Sequence, residues 1–217
     1  MSDFDWAAIG RNLPFLAEGM ALSLLIVAVA TVGGLVLGLG LALVRLRASA
    51  PIRALAAAYV ATMRSVPLIL VLFWFYFLVP LLIGRPVGSL ASALVAFVLF
   101  EAAFYCEIVR AGVLAVAPGQ GQAALATGLR PGQALRLVVL PQALRAAVPV
   151  LLNQAILVFQ DTSLVYVVTL RDFLTAASLV ANRDGRPLEM FATVAVTYLA
   201  ICLAGTGLVH AVAGRRA

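Results

Sequence analysis

Three ionisable side chains lie where ions are expensive. Arg64, Glu101 and Asp161 each fall inside a long apolar run, and neutral hydrogen-bonding residues gather around them: Ser65 beside Arg64, and Asn153, Gln154, Gln160, Thr162 and Ser163 around Asp161. A charge at bilayer depth faces a polar partner or a water-filled cavity rather than lipid. Residues 153 and 160, like 154 and 161, are seven apart, so one helix carries a polar stripe through an apolar body, and a stripe of this size points to a wet cavity. Glu101 and Tyr105 share a helical face, with Glu101 the deeper and better placed for a bundle interior. Arg64, two residues before the helix-kinking Val66-Pro67 step, has two readings: a structural partner for a carboxylate, or a charge facing an aqueous path. This is chemistry for lining an aqueous path.

No constellation for making or breaking bonds accompanies it. The single histidine, His210, has no carboxylate or cysteine near it in sequence, Cys106 and Cys202 are isolated in apolar runs, and no G-x-x-x-x-G-K-[ST] phosphate cradle occurs. The chain is therefore read as non-enzymatic, with no bound metal or cofactor of its own.

The elements that must position these residues follow from composition. Of 217 residues 64% are hydrophobic and 11% charged, with a mean hydropathy of +1.10, which describes a multi-span helical membrane protein. The net charge of +6 comes entirely from arginine, scattered among loops rather than gathered on one soluble face, so nucleic acid is excluded as a partner. A single domain, 1–217, with five spans is expected at about 19–44, 55–83, 87–109, 146–170 and 188–212. Residues 1–18 read as an interfacial segment, 171–187 as an outer loop, and Glu107 with Arg110 as an ion pair at the membrane edge. The second span is interrupted at Arg64–Pro67. Gly34 and Gly38 form a G-x-x-x-G pair that admits a close helix neighbour, although chance explains such a pair nearly as well. Arginines 45, 47, 53, 110, 130, 136, 145, 215 and 216 concentrate on one side, which places the N-terminus outside and the C-terminus in the cytoplasm.

One segment, 111–145, is helical yet unlike a span. Glycines 119, 121, 128 and 132 and prolines 118, 131 and 141 divide it, and Arg130 and Arg136 suit water, so it reads as a helix-turn-helix on the cytoplasmic face. Within it Gln122-Ala123-Ala124, Gly128, and Val138-x-Leu140-Pro141 resemble the E-A-A-x3-G-x9-I-x-L-P signature of ABC importer permeases, at the same spacings. The stretches YVATMRSVP (59–67), EAAFYCEIVRAG (101–112), LPQALRAAVPVLLNQ (140–154) and DTSL (161–164) are similar to the polar amino acid branch of that family. RSVP, LFWFYFLVP and FQDTSLVYV look like its glutamate/aspartate permeases, and together these segments extend the likeness over nearly the whole chain from Phe4 onward.

The resemblance implies an all-α ABC type I importer permease fold in the bacterial inner membrane. Its partners would be ABC ATPase subunits that use ATP and Mg2+, a second permease, an external solute-binding protein, an amino acid substrate and membrane lipid. Gly119, Gln120, Gln122, Ala123, Ala124, Gly128, Leu140 and Pro141 would form the ATPase-coupling element. Arg64, Ser65, Pro67, Glu101, Asn153, Gln154, Gln160, Asp161, Thr162 and Ser163 would line the substrate path, with Arg64 meeting a carboxylate and Glu101 or Asp161 an ammonium. The chain departs from the signature at Gln122, where a glutamate is usual, so docking there would rest on a neutral hydrogen bond. An ion-gradient-driven amino acid carrier is the alternative, and an intramembrane enzyme built on Asp161 is the remaining one.

Overall fold

The computed structural model describes residues 4–214, and among them every regular element is a helix. Eight helical elements follow in order: α1 (Trp6–Arg47), α2 (Ala50–Ser65), α3 (Leu68–Ile83), α4 (Ser89–Ala115), α5 (Pro118–Ala126), α6 (Pro131–Val168), α7 (Phe173–Asp184) and α8 (Pro187–Gly214). α1, α4, α6 and α8 are long and apolar enough to cross a membrane, and α2 with α3 makes a fifth candidate bent by 108°.

Three segments differ from the sequence expectation. Residues 6–18 are not a separate interfacial segment but the first turns of α1, which runs through Pro14 without a break. At ~1.5 Å per residue this helix is about twice the ~30 Å of a hydrocarbon core, so one end projects well beyond it. Its start is fixed by Asp5, whose side chain accepts from the amides of Ala7 and Ala8. The 171–187 region is no loop: Asp172 caps α7 by accepting from Leu174 and Thr175, and α7 packs against the projecting end of α1. Burial pushes the Asp172 carboxyl up even though the cap bonds oppose it. The segment 111–145 holds only one short independent helix, α5. Residues up to Ala115 complete α4, and Pro131 opens the long α6, so the second half of the supposed helix-turn-helix is the start of a membrane helix.

Prolines shape the remaining helices. Val66 is extended, as a residue before proline prefers to be, so α2 stops at Ser65 and α3 restarts after Pro67 at a new angle. Further on, π-helical turns at Trp74–Leu78 and Ala134–Val139 lie just ahead of Pro80 and Pro141. A proline has no N–H to donate and its ring crowds the carbonyl four residues back, and a wider turn relieves both.

The core is the contact between α1 and α4. Gly34 and Gly38 lie on the α4 side of α1, where an added Cβ would fall 2.9 Å from the Glu101 Cβ and 2.7 Å from the Tyr105 Cβ respectively. At Gly38 the backbone is equally close, with Cys106 N at 2.8 Å and Ala102 O at 2.9 Å. The G-x-x-x-G pair is thus the seam of the bundle. Gly19 plays the same part at the projecting end, where its missing Cβ makes room for the Asp172 carbonyl. We predict that Gly38→Ala destabilises the detergent-solubilised protein by about 1–3 kcal/mol, the usual cost of overpacking. Gly40→Ala, on an open face with nothing within 4 Å, should leave the thermal midpoint unchanged or raise it slightly, since alanine favours the helix.

Candidate functional site

The polar residues singled out in the sequence divide between two places. Glu101 is fully buried on α4, positioned by the Gly34 contact behind it. One of its carboxylate oxygens accepts from Gln154 Nε2 at 2.9 Å, and the other has no hydrogen-bond partner among the described residues. Gln154 belongs to α6, so this bond joins two of the long helices at depth. Asp161 is half-buried two turns further along α6, where the α-helix tightens into a 3-10 turn over Thr162–Val168.

The stripe on α6 is two stripes. Asn153 and Gln160 are exposed, and with Ala146, Val150 and Leu157 they form one exposed face, whereas Gln154 looks toward α4. Gln160 lies 3.4 Å from Cys202 Sγ on α8. Thr162 and Ser163 spend their hydroxyls locally, donating to the carbonyls of Phe159 and Gln160 at 2.8 Å each. Ser65 does the same to Ala61 at 2.8 Å, and Pro67 serves as the hinge of α2 and α3. Period alone places residues on a stripe; the direction of the neighbouring helix decides which of them meet.

Arg64 stands at the end of α2, exposed, with its guanidinium 5.6 Å from the centre of the Phe104 ring and no ion pair among the described residues. It faces a cavity of about 500 Å3 between α2, α4 and α6, whose other walls include Glu107, Ala111, Gly112, Ala147 and Val150. Gly112 lets α4 and α6 approach closely beside this space, since an added Cβ would lie 3.0 Å from the Ala143 carbonyl. Glu107 does not neutralise Arg64. It is bound by Arg110, at 2.8 Å, and by Arg45 of α1 in a short ion pair. The Arg45 contact was not legible in the sequence, because it joins residues 62 apart through the α1–α4 seam.

At the same end of the bundle α5 packs one side against the start of α6 and leaves the other side exposed. Pro118 occupies its first turn, where the missing N–H costs nothing. Its exit is a Schellman turn: Leu129 N donates to Ala124 O and Gly128 N to Leu125 O, with Gly128 at φ +88°. Gln122 and Ala123 are exposed and Ala124 is buried, so a narrow, small-residue surface faces outward while one alanine anchors the helix. At Gly119 an added Cβ would meet nothing within 4 Å, and its absence keeps that surface flat. Gln120 accepts from Gln142 of α6 at 3.3 Å, and Arg47 at the end of α1 donates to the Pro131 carbonyl at 2.8 Å. Leu140 and Pro141 lie on α6 just past its π turn; the Gln120–Gln142 bond ties α5 to α6, and the Arg47–Pro131 bond ties α6 in turn to α1.

Among the described residues no His, Cys, Asp and Glu cluster suited to a metal ion occurs. A double-mutant cycle over Glu101→Ala and Gln154→Ala should give a coupling of about 0.5–3 kcal/mol in thermal unfolding, the range for residues in direct contact. Additive effects would show that the bond contributes nothing across the α4–α6 interface.

Comparison with known proteins agrees with this arrangement. Residues 34–217 match the family described as binding-protein-dependent transport system inner membrane component. The chain is 45% identical over 216 residues to the glutamate/aspartate import permease protein GltK of Escherichia coli O6:H1, covering 96% of each. It is 32% identical over 201 residues to the glutamine transport system permease protein GlnP of Escherichia coli K12, covering 92% of each. A solved amino acid ABC transporter, crystallised with histidines, superposes with a TM-score of 0.90 at 26% identity over 99% of this chain and 100% of that one. The chain belongs to the binding-protein-dependent transport system inner membrane component family and is the permease subunit of an ABC amino acid importer.

Proposed function

We propose that this permease carries glutamate and aspartate, and that Arg64 receives the extra carboxylate on the way through. The observation that supports the reading best is the guanidinium without an ion pair facing a cavity of about 500 Å3, a size suited to a small solute. Glu107 on the opposite wall is already held by Arg45 and Arg110, so the surplus charge in the cavity is positive. Likeness to a glutamate/aspartate permease across 96% of the chain points to the same substrates. Glu101 and Asp161 are the candidates for the ammonium, and Asn153, Gln154, Gln160, Thr162 and Ser163 for neutral bonds deeper in the path. Arg64→Gln should lower glutamate uptake in proteoliposomes roughly 10- to 100-fold, the range for losing one charge-assisted hydrogen bond, while the ATPase rate of the assembled complex persists. Unchanged uptake, or failure of the variant to assemble, overturns the substrate role.

The energy is supplied by separate ABC ATPase subunits that use ATP and Mg2+, with α5 as the docking element. Its exposed Gln122 and Ala123 fit a cleft in a partner, the Gln120–Gln142 bond carries displacement of α5 into α6, and the Arg47–Pro131 bond passes it from α6 to α1. Closure of the ATPase pair then rocks the bundle between outward- and inward-open states around the polar path. A second permease lies against the exposed α6 face, and a solute-binding protein delivers substrate at the opposite end. The arginine distribution puts α5 in the cytoplasm, the N-terminus outside and the C-terminus inside, in a bacterial inner membrane. Arg215 and Arg216, which enter that distribution, lie outside the described residues. Gln122→Glu should retain ATPase association and keep or tighten the coupling of hydrolysis to uptake. Loss of association in pull-downs would remove α5 from the interface, and uptake without any ATPase would favour the gradient-driven carrier.

A further inference from the structure

At the end of the bundle opposite α5, two ions of opposite sign face one cavity without pairing. The cavity measures about 260 Å3 and lies between α1 and the turn that leads into α7, with Phe15, Glu18, Leu22, Thr169 and Arg171 among its walls. Arg171 stacks on Phe15, its guanidinium 5.6 Å from the ring centre, which fixes its direction. Glu18 has no hydrogen bond or ion pair, and Arg171 has only this ring contact, among the described residues. The turn that carries Arg171 is held open by Thr169, a non-glycine residue at φ +63°, and pressed against α1 at Gly19. Two opposite charges that border one space and do not meet leave room for something with a charge at each end.

The surroundings say what kind of molecule that is. Glu18 begins an exposed stripe on α1 that continues through Ala21, Leu25, Val32 and Val36, so the cavity opens at the head of a strip of apolar surface tens of ångströms long. A soluble zwitterion would satisfy the two ions and leave the strip bare. A lipid satisfies both. We propose that this cavity binds the headgroup of a zwitterionic phospholipid bearing a primary ammonium, with Arg171 on the phosphate, Glu18 on the ammonium and the acyl chains along the α1 stripe. The geometry favours phosphatidylethanolamine over phosphatidylcholine, because only the primary ammonium has N–H donors for the Glu18 carboxylate. The inference rests on the placement of α1 in a membrane and on neither the substrate nor the ATPase assignment.

The test is native mass spectrometry of the assembled importer after exchange into equal mixtures of phosphatidylethanolamine and phosphatidylcholine. The wild type should retain phosphatidylethanolamine about tenfold more than phosphatidylcholine, the ratio that one charge-assisted hydrogen bond supports. Glu18→Gln should abolish the preference, and Arg171→Gln should lower retention of both lipids. Both residues are exposed, and equal elution of the variants in size-exclusion chromatography separates lost binding from lost assembly. Equal retention of the two lipids by the wild type overturns the proposal. So does retention of neither, the outcome if a second permease covers this face, and so does displacement of bound lipid by millimolar glutamate, which would assign the cavity to the transported solute.

Discussion

The close approach of α1 to α4 is the contact from which the rest of the molecule is laid out. In a bilayer the tails are as apolar as the side chains, so helices gain little from merely being greasy, and intimate packing must supply the attraction. Gly34 and Gly38 permit that packing by removing the atoms that would otherwise collide with Glu101, Tyr105 and the α4 backbone. The same seam buries Glu101 and brings Arg45 to Glu107. A buried carboxylate and a three-membered charge cluster thus follow from two absent methyl groups.

From this seam the other helices take distinct parts. α6 joins α4 through the Gln154–Glu101 bond and leaves a second face, with Asn153, Val150 and Leu157, exposed. The bend between α2 and α3 turns Arg64 toward the space bordered by α4 and α6. Bends and π turns fall at prolines in each case, where the backbone has already lost a hydrogen bond, so a change in angle there costs less than elsewhere. A permease needs helices that are firm in the middle and articulated at known points, and proline provides the articulation.

Both ends of the bundle are further secured by polar contacts. At one end Gln120 meets Gln142 and ties the short α5 to α6, while Arg47 holds Pro131 and ties the start of α6 to α1. At the other, the polar groups of Asn12, Arg183 and Asp184 bond to one another, and the Asp5 amide donates to Glu189, drawing α1, α7 and α8 together. The Arg183 guanidinium beside Asp184 holds its carboxyl below the usual carboxylate range.

Composition, span spacing and the small-residue motif around Gln122 made the helical membrane class, the permease family and the α5 turn legible from sequence, because each depends on local chemistry: apolar length, a glycine in the left-handed region, a proline in a first turn. The break at Arg64–Pro67 was legible for the same reason. Tertiary structure alone decided the rest. It extended α1 to Trp6 and made a helix of 173–184, since amphipathic ends form helices when a neighbour covers one side. It chose the G-x-x-x-G pair as a working interface, and it separated Gln154 from Asn153 by giving only one of them a partner across α4. It left Arg64 without an ion pair among the described residues and gave Glu107 two cations instead of one. Sequence determines which groups carry charge and which turns are possible; which charges meet is fixed only when distant helices choose their faces.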